Sequence, residues 1–568
     1  MRKLVTRTFN LSILTVGLLL GGLPLSAQGN FARGNSSPKP VVRHAVFFGV
    51  SAPLRELAAL PVRHPYAFRR NNHGFRYDNR LRQGPRREGP GRATGSAVDI
   101  AEQLTADAPS NFTIGFNLAG IGMGFALFTS DSNFPDANIA VGDTEIVQVV
   151  NSSFAVFDSS TGNTRFPAIP FNVLWQIMGV GGDCSTNDSG HLIVQYDKAA
   201  QRWLIAENVL DGYSGPYSAC IAISTSDEAL GPYYLYEFQF NNGGYPDLQK
   251  WAVWTNSYFQ SQDNFGPSGN AYVGAEPCAY DRAKMLAGDP SAEQVCFQLS
   301  DQDFALLPGD IDSPDLPPAG QDEFFFSLWD SLHLALYSIH IDWSNPSGAT
   351  ITGNKGSKLF PIPSYAGACN GQYLGYCVAQ KGASNQLEVL GDRLLYRLVY
   401  YNDSSTLPSP SQHWLAVHDV QTNNPGAPQA ERWYEFTAPQ KKSTVSDITL
   451  FQSGTYAPDS NSRWMGSIAR DSIGDIMMGY SESSSTMYPA IAITGRLVSD
   501  PLGQMEAEQI VFTGSAPQTD PANRWGNYTS MRLDPDGCTL WYTSEYYLTP
   551  MYLDWSTQIS SATFAGCQ

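Results

Sequence analysis

The chain has 568 residues, 42% of them hydrophobic, 12% aromatic and only 15% charged, with a formal net charge of −18. That is apolar surface enough for several ordinary domains or one large repeat-built domain. The abundance of Tyr, Phe, Trp, Gly and Ser excludes a coiled coil or a mainly disordered chain, and favours short strands joined by turns.

At the N-terminus Arg2, Lys3 and Arg7 precede an apolar run from Leu11 to Leu20, the break Gly21-Gly22-Leu23-Pro24 and the small pair Ser26-Ala27. This is the layout of a secretory signal peptide over residues 1–27, with cleavage after Ala27. The apolar part is too short and interrupted for an anchor, and no later segment offers a membrane-spanning apolar run. The expected location is therefore extracellular or periplasmic, with no transmembrane segment in the mature chain.

Residues 28–109 read as a basic, Gly/Pro/Asn-rich linker or propeptide, largely disordered. Between Phe31 and Gly95 stand 13 Lys/Arg against Glu56, Asp78 and Glu88, whereas residues 96–568 hold 19 basic and 50 acidic residues. So acidic a body, in an exported chain, speaks against nucleic acid as a partner. All eight cysteines follow this segment, an even number that reads as disulfides in an exported chain. Locality favours Cys184–Cys220, Cys278–Cys296, Cys369–Cys377 and Cys538–Cys567, although spacing does not fix connectivity.

Residues 110–568 carry a repeat. Ser467-Ile-Ala-Arg-Asp471-Ser-Ile-Gly474 aligns without gaps on Ser530-Met-Arg-Leu-Asp534-Pro-Asp-Gly537, and Arg463-Trp464 and Arg524-Trp525 precede the two copies. Each is a strand ending in a turn that Asp caps and Gly relaxes, followed by a second apolar strand. Looser strand–turn–strand units start near 139, 191, 249, 324 and 393, so seven starts, with 466 and 529, are spaced about 65 residues apart. A four-stranded propeller blade needs about 40–50 residues plus loops. The expected fold is an all-β, seven-bladed β-propeller; six or eight blades also fit.

Phe134-Pro-Asp-Ala-Asn-Ile-Ala-Val-Gly142, Cys278-Ala-Tyr-Asp-Arg282, Gly391-Asp-Arg-Leu-Leu-Tyr-Arg397, Gly454-Thr-Tyr-Ala-Pro-Asp459 and Arg524-Trp-Gly-Asn-Tyr528 together resemble a family of large exported bacterial proteins with a propeller-like fold. The resemblance implies export and fold and carries over no catalytic residue. Asp534-Pro-Asp-Gly537-Cys-Thr539-Leu-Trp541 is loosely similar to the Asp-box hairpin of sialidase-type propellers, but departs from it in the Asp-to-Gly spacing.

Ligands of propellers gather where innermost strands begin. The polar and aromatic residues at those places are Asp136, Asn138, His191, Tyr245, Asp247, Asp392, Arg393, Arg463, Trp464, Arg524, Trp525 and Tyr528. Arginines there suit a carboxylate-bearing ligand and the aromatics a sugar face; the alternative is that Arg463 and Arg524 form structural ion pairs and the aromatics fill gaps between blades. Asp136 and Asp247 are the candidate carboxylate pair for glycoside cleavage. Glu482 and Glu545 are equivalent in the repeat, which points to architecture. Asp310, Asp312 and Asp315 alternate as Ca²⁺ ligands would, without the full EF-hand spacing. No cofactor is required by any motif. The leading expectation is a monomeric extracellular protein that binds a glycan or another protein as a scaffold. The alternative is a polysaccharide hydrolase or lyase using axial carboxylates, Arg and Tyr.

Overall fold

The two aligned C-terminal hairpins form as their sequences dictate. Asp471 Oδ1 accepts the backbone N–H groups of Ile473, Gly474 and Asp475, and Gly474 takes φ 100°, where a side chain would be strained. The second copy turns on Asp534, which accepts from the Asp536 N–H and the Trp541 indole, with Gly537 at φ 79°. The structure is a computed structural model that describes residues 38–57 and 98–568, apart from 107, 131, 177, 180, 181, 188, 211–214, 216, 241–243, 267–271, 354–358, 372–374, 404–410, 425, 552 and 568. The signal-peptide expectation and the basic stretch 64–95 lie outside the described residues.

Within Pro38–Gln568 the chain is an all-β propeller. Among the described residues the antiparallel strands fall into successive units, with innermost strands Asn138–Val141, Ile193–Asp197, Tyr245–Val253, Leu307–Ile311, Leu398–Asp403, Ser462–Arg470 and Ser530–Leu533, counted below as the first to the seventh sheet although the fourth and fifth are joined in one. Each innermost strand lies beside the next sheet, and the seventh returns to the first. The seventh sheet takes its outermost strand, Phe112–Ala119, from the segment preceding the first, pairing it antiparallel with Trp555–Phe564. The fourth and fifth innermost strands also pair directly, in parallel.

The repeated serine makes the link between sheets. Ser467 Oγ accepts the Met531 N–H (3.0 Å), and Ser530 Oγ accepts the Ile139 N–H (2.9 Å), joining the sixth sheet to the seventh and the seventh to the first. Asn138 continues the series, its Oδ1 accepting the Val194 N–H of the second sheet (3.1 Å). Aromatic rings fill the wedges between sheets: Trp414 packs on Phe324 and Phe326, and Trp464 lies 5.4 Å from Trp525.

The four disulfides join Cys184–Cys220, Cys278–Cys296, Cys369–Cys377 and Cys538–Cys567. Two expectations are corrected. The segment 28–109 is not without structure throughout: Val41–His44 adds to the edge of the third sheet, Phe47–Val50 to the second, and Glu102–Gln103 to the fifth. Backbone pairing with exposed sheet edges recruits these strands. The unit placed at 324 begins one strand too late, because the innermost strand Leu307–Ile311 contains Pro308 and Gly309 and reads as a loop.

Candidate functional site

Asp136, His191 and Asp247 precede or open the first, second and third innermost strands, and the ring brings them together. Asp136 Oδ2 lies 2.6 Å from His191 Nδ1, and Asp247 Oδ1 lies 3.8 Å from His191 Nε2. An imidazole is thus held between two carboxylates from neighbouring sheets. Local backbone geometry sets this up: Asp136 (φ 49°), His191 (φ 62°) and Leu248 (φ 52°) all take left-handed conformations that side chains disfavour. Strain of this kind, repeated at one end of three adjacent sheets, is held in place by the surrounding structure.

Each member is fixed by further bonds. The Asn527 N–H donates to Asp136 Oδ1 (2.6 Å), Gln249 Nε2 donates to the His191 carbonyl (2.7 Å), and the Leu248 N–H donates to Asp247 Oδ1 (2.8 Å). Tyr528, from the seventh sheet, sets its ring 5.7 Å from that of His191 and donates its hydroxyl to the Gln249 carbonyl (2.9 Å). Asp136 is wholly buried, whereas the side chains of His191 and Asp247 keep 11% and 12% of their exposure. The surface is therefore open to His191 and Asp247 but not to Asp136.

Sequence reasoning missed two members, Lys250 and Asp263. A β-bulge between Asp247 and Lys250 breaks the alternation of the third innermost strand, and with it the signal that would have paired them. Lys250 Nζ lies 3.7 Å above the Tyr528 ring. Burial, reinforced by the nearby Arg393 charge, pushes its ammonium down to about 7 against the opposing pull of Asp136, Asp263 and Asp247. Burial pushes Asp263 up to about 6, although it accepts the Ala305 N–H (3.0 Å) and the Tyr272 hydroxyl (2.9 Å).

The other anticipated residues have different places. Arg393 pairs with Asp392 (2.7 Å) and lies over the Phe304 ring. Arg463 is fully buried and pairs with Asp459 (2.9 Å), Glu482 (3.3 Å) and Glu508. Arg524 pairs with Glu388 (2.5 Å), lies over the Phe134 ring and donates to Asn527. Trp464 and Trp525 are buried between sheets, and Tyr245 packs edge-on against Tyr217. Glu545 accepts the Gly526 N–H (2.7 Å), an architectural role; burial holds its carboxyl well above the usual range.

Below the mouth the axis is filled. Arg532 donates to Asp310 (2.6 Å), Gln195 (2.7 Å), the Ile139 carbonyl (2.9 Å) and the Tyr396 hydroxyl (3.1 Å), while Arg397 bonds both Asp310 and Asp312 (2.8 Å each). Lys198 adds a third cation at Asp312 (3.1 Å). The expected Ca²⁺ set is corrected on this point: guanidinium and ammonium groups already neutralise Asp310 and Asp312, and Asp315 uses its carbonyl to accept the Ser313 hydroxyl. Among the described residues two other clusters have the composition of metal sites. In one, Arg463 bonds all of Asp459, Glu482 and Glu508; in the other, Cys278 and Cys296 form a disulfide and Arg43 bonds Glu276.

No protein-family model matches the chain, and no curated protein matches it in sequence. Among solved structures, an α-L-arabinofuranosidase of Fusarium graminearum is similar at 10% identity and a TM-score of 0.34, covering 80% of this chain and 99% of its own. An α-L-arabinanase of Penicillium chrysogenum matches at 10% identity and 0.26, over 57% and 94% of the two chains. The extracellular domains of Drosophila Semaphorin 1b match at 8% and 0.30, over 80% and 87%. Likeness this slight, below a TM-score of 0.5, says nothing of what this chain binds or does.

Proposed function

We propose that this protein is an exported enzyme that cleaves glycans at the axial mouth, with His191 as its proton-transferring group. The observation that carries this reading is the clamp of His191 between Asp136 and Asp247, assembled from the starts of three neighbouring innermost strands, with the His191 and Asp247 side chains keeping partial exposure. A carboxylate on Nδ1 fixes the tautomer and ring orientation and stabilises the imidazolium, leaving Nε2 to exchange a proton with substrate. Asp247, beside Nε2, is the second acid–base group. Of the two carboxylates only Asp247 keeps the exposure to reach a sugar. The four disulfides support the exported part of the reading.

The test is a polysaccharide-degradation screen on the full chain, followed by His191→Ala and Asp247→Asn on any substrate found. The reading expects turnover to fall by about 10²–10⁴ in each variant with the melting temperature retained. Turnover untouched by both substitutions would overturn it.

One observation favours a second reading, a non-catalytic glycan- or protein-binding scaffold. The axis beneath the mouth is filled by Arg532, Arg397 and Tyr396, so a ligand lies across the face rather than in a deep channel. Tight glycan binding without turnover in the same screen would select it.

A further inference from the structure

Lys250 stands apart from the other cations of the mouth. Its side chain is buried, with 4% of the residue exposed, yet among the described residues no carboxylate comes within ion-pair distance of Nζ and no acceptor bonds it. The acids around it are engaged elsewhere: Asp136 by the Asn527 N–H and His191, Asp247 by the Leu248 N–H, and Asp263 by Ala305 and Tyr272. What holds the amine is the face of Tyr528, the ring that also flanks His191. An amine kept over an aromatic face, with Arg393 as a second positive charge nearby, feels Asp136, Asp263 and Asp247 only at a distance and has no direct ion-pair partner among the described residues.

We propose that Lys250 is the anion-binding residue of the axial mouth, so that the glycan taken there carries carboxylate groups, as polyuronates do. This rests on the glycan reading above and deepens it. A sugar carboxylate seated on Lys250 satisfies the amine with a charge-assisted bond and sets the sugar ring beside the contacting Tyr528 and His191 rings. The groups facing the amine are Arg393, Asp136, Asp247, Asp263 and Tyr528, with His191 against the same Tyr528 ring. Since burial and Arg393 hold the ammonium near neutrality, acid-sugar binding weakens as pH rises through about 7.

The experiment compares oligogalacturonate with its fully methyl-esterified form, which keeps the backbone and removes the charge. Binding to the full-length protein is measured by calorimetry at about pH 6 and about pH 8.5, either side of neutrality. The free acid is expected to bind at least about tenfold more tightly than the ester at the lower pH, with the preference lost at the higher. Lys250→Met removes the preference and Lys250→Arg retains part of it, with folding of each variant checked by circular dichroism. If Lys250→Met does not fold, the pH dependence of the unsubstituted protein decides. Equal binding of both forms, no binding of either, or a preference unchanged in folded Lys250→Met overturns the proposal. The ester cleaved in a His191-dependent way with no acid preference sinks only this inference; the free acid bound but never cleaved sinks only the enzymatic one.

Discussion

Asp136 is the residue whose role separates catalysis from architecture, since it touches His191 on one oxygen and the Asn527 N–H on the other. Asp136→Asn keeps a carbonyl oxygen for the backbone bond and removes the charge behind the imidazole. The expected outcome is kcat/KM lower by about 10²–10⁴ on the glycan substrate, with little change in thermal unfolding. An Asp136→Asn protein that is folded and fully active would remove His191 from the mechanism. Asp136, His191, Asp247 and Tyr528 were legible because each lies within a few residues of the start of an apolar innermost strand. Lys250 was not, because a bulge hides it from any alternation. Asp310 and Asp312 were misread because charges that meet across a fold leave no local trace: Arg397 and Arg532, which neutralise them, lie far along the chain. Trp464 and Trp525 look like sugar platforms by composition, yet the same apolar bulk serves the wedge between sheets.

The element that decides closure is the innermost strand of the C-terminal repeat. Ser530 Oγ accepts the Ile139 N–H, so Ser530→Ala leaves a buried donor of the first sheet unmatched. The expected cost is about 1–3 kcal/mol in denaturant unfolding; an unchanged midpoint would show that the link between sheets carries no weight. The Cys538–Cys567 disulfide ties the same sheet across 29 residues. Replacing both cysteines by serine is expected to cost about 3 kcal/mol, measured the same way, and a smaller loss on reduction of the native protein would contradict it. The disulfide was readable in sequence from locality; the repeat aligned the two serines without showing what they bond. The outermost strand Phe112–Ala119 was not assigned to the last sheet, since nothing local says that a strand pairs with residues more than four hundred positions away.

For the whole molecule, the buried carboxyls set the response to pH. Burial raises Asp263 to about 6 and Asp419, Asp471 and Glu482 to about 7, and holds Glu323, Glu431 and Glu545 well above the usual range. A carboxyl raised in the folded state binds more protons there than in the unfolded chain. Its contribution is fully present below the unfolded value and is lost as pH rises through the folded one. His413, His418, Lys198 and Lys250, lowered by burial, act in the opposite sense, but they are fewer than the raised carboxyls. The melting temperature is therefore expected to fall between about pH 5 and about pH 8; calorimetry showing a flat or rising profile would contradict it. The ring that buries these acids also brings residues 136, 191, 247 and 528 to one mouth, and a crystal soaked with a glycan from the degradation screen tests that most directly. Density for a sugar against His191 Nε2 and Asp247 is the expected result. A sugar seated on the outer strands, with nothing over His191, would contradict it.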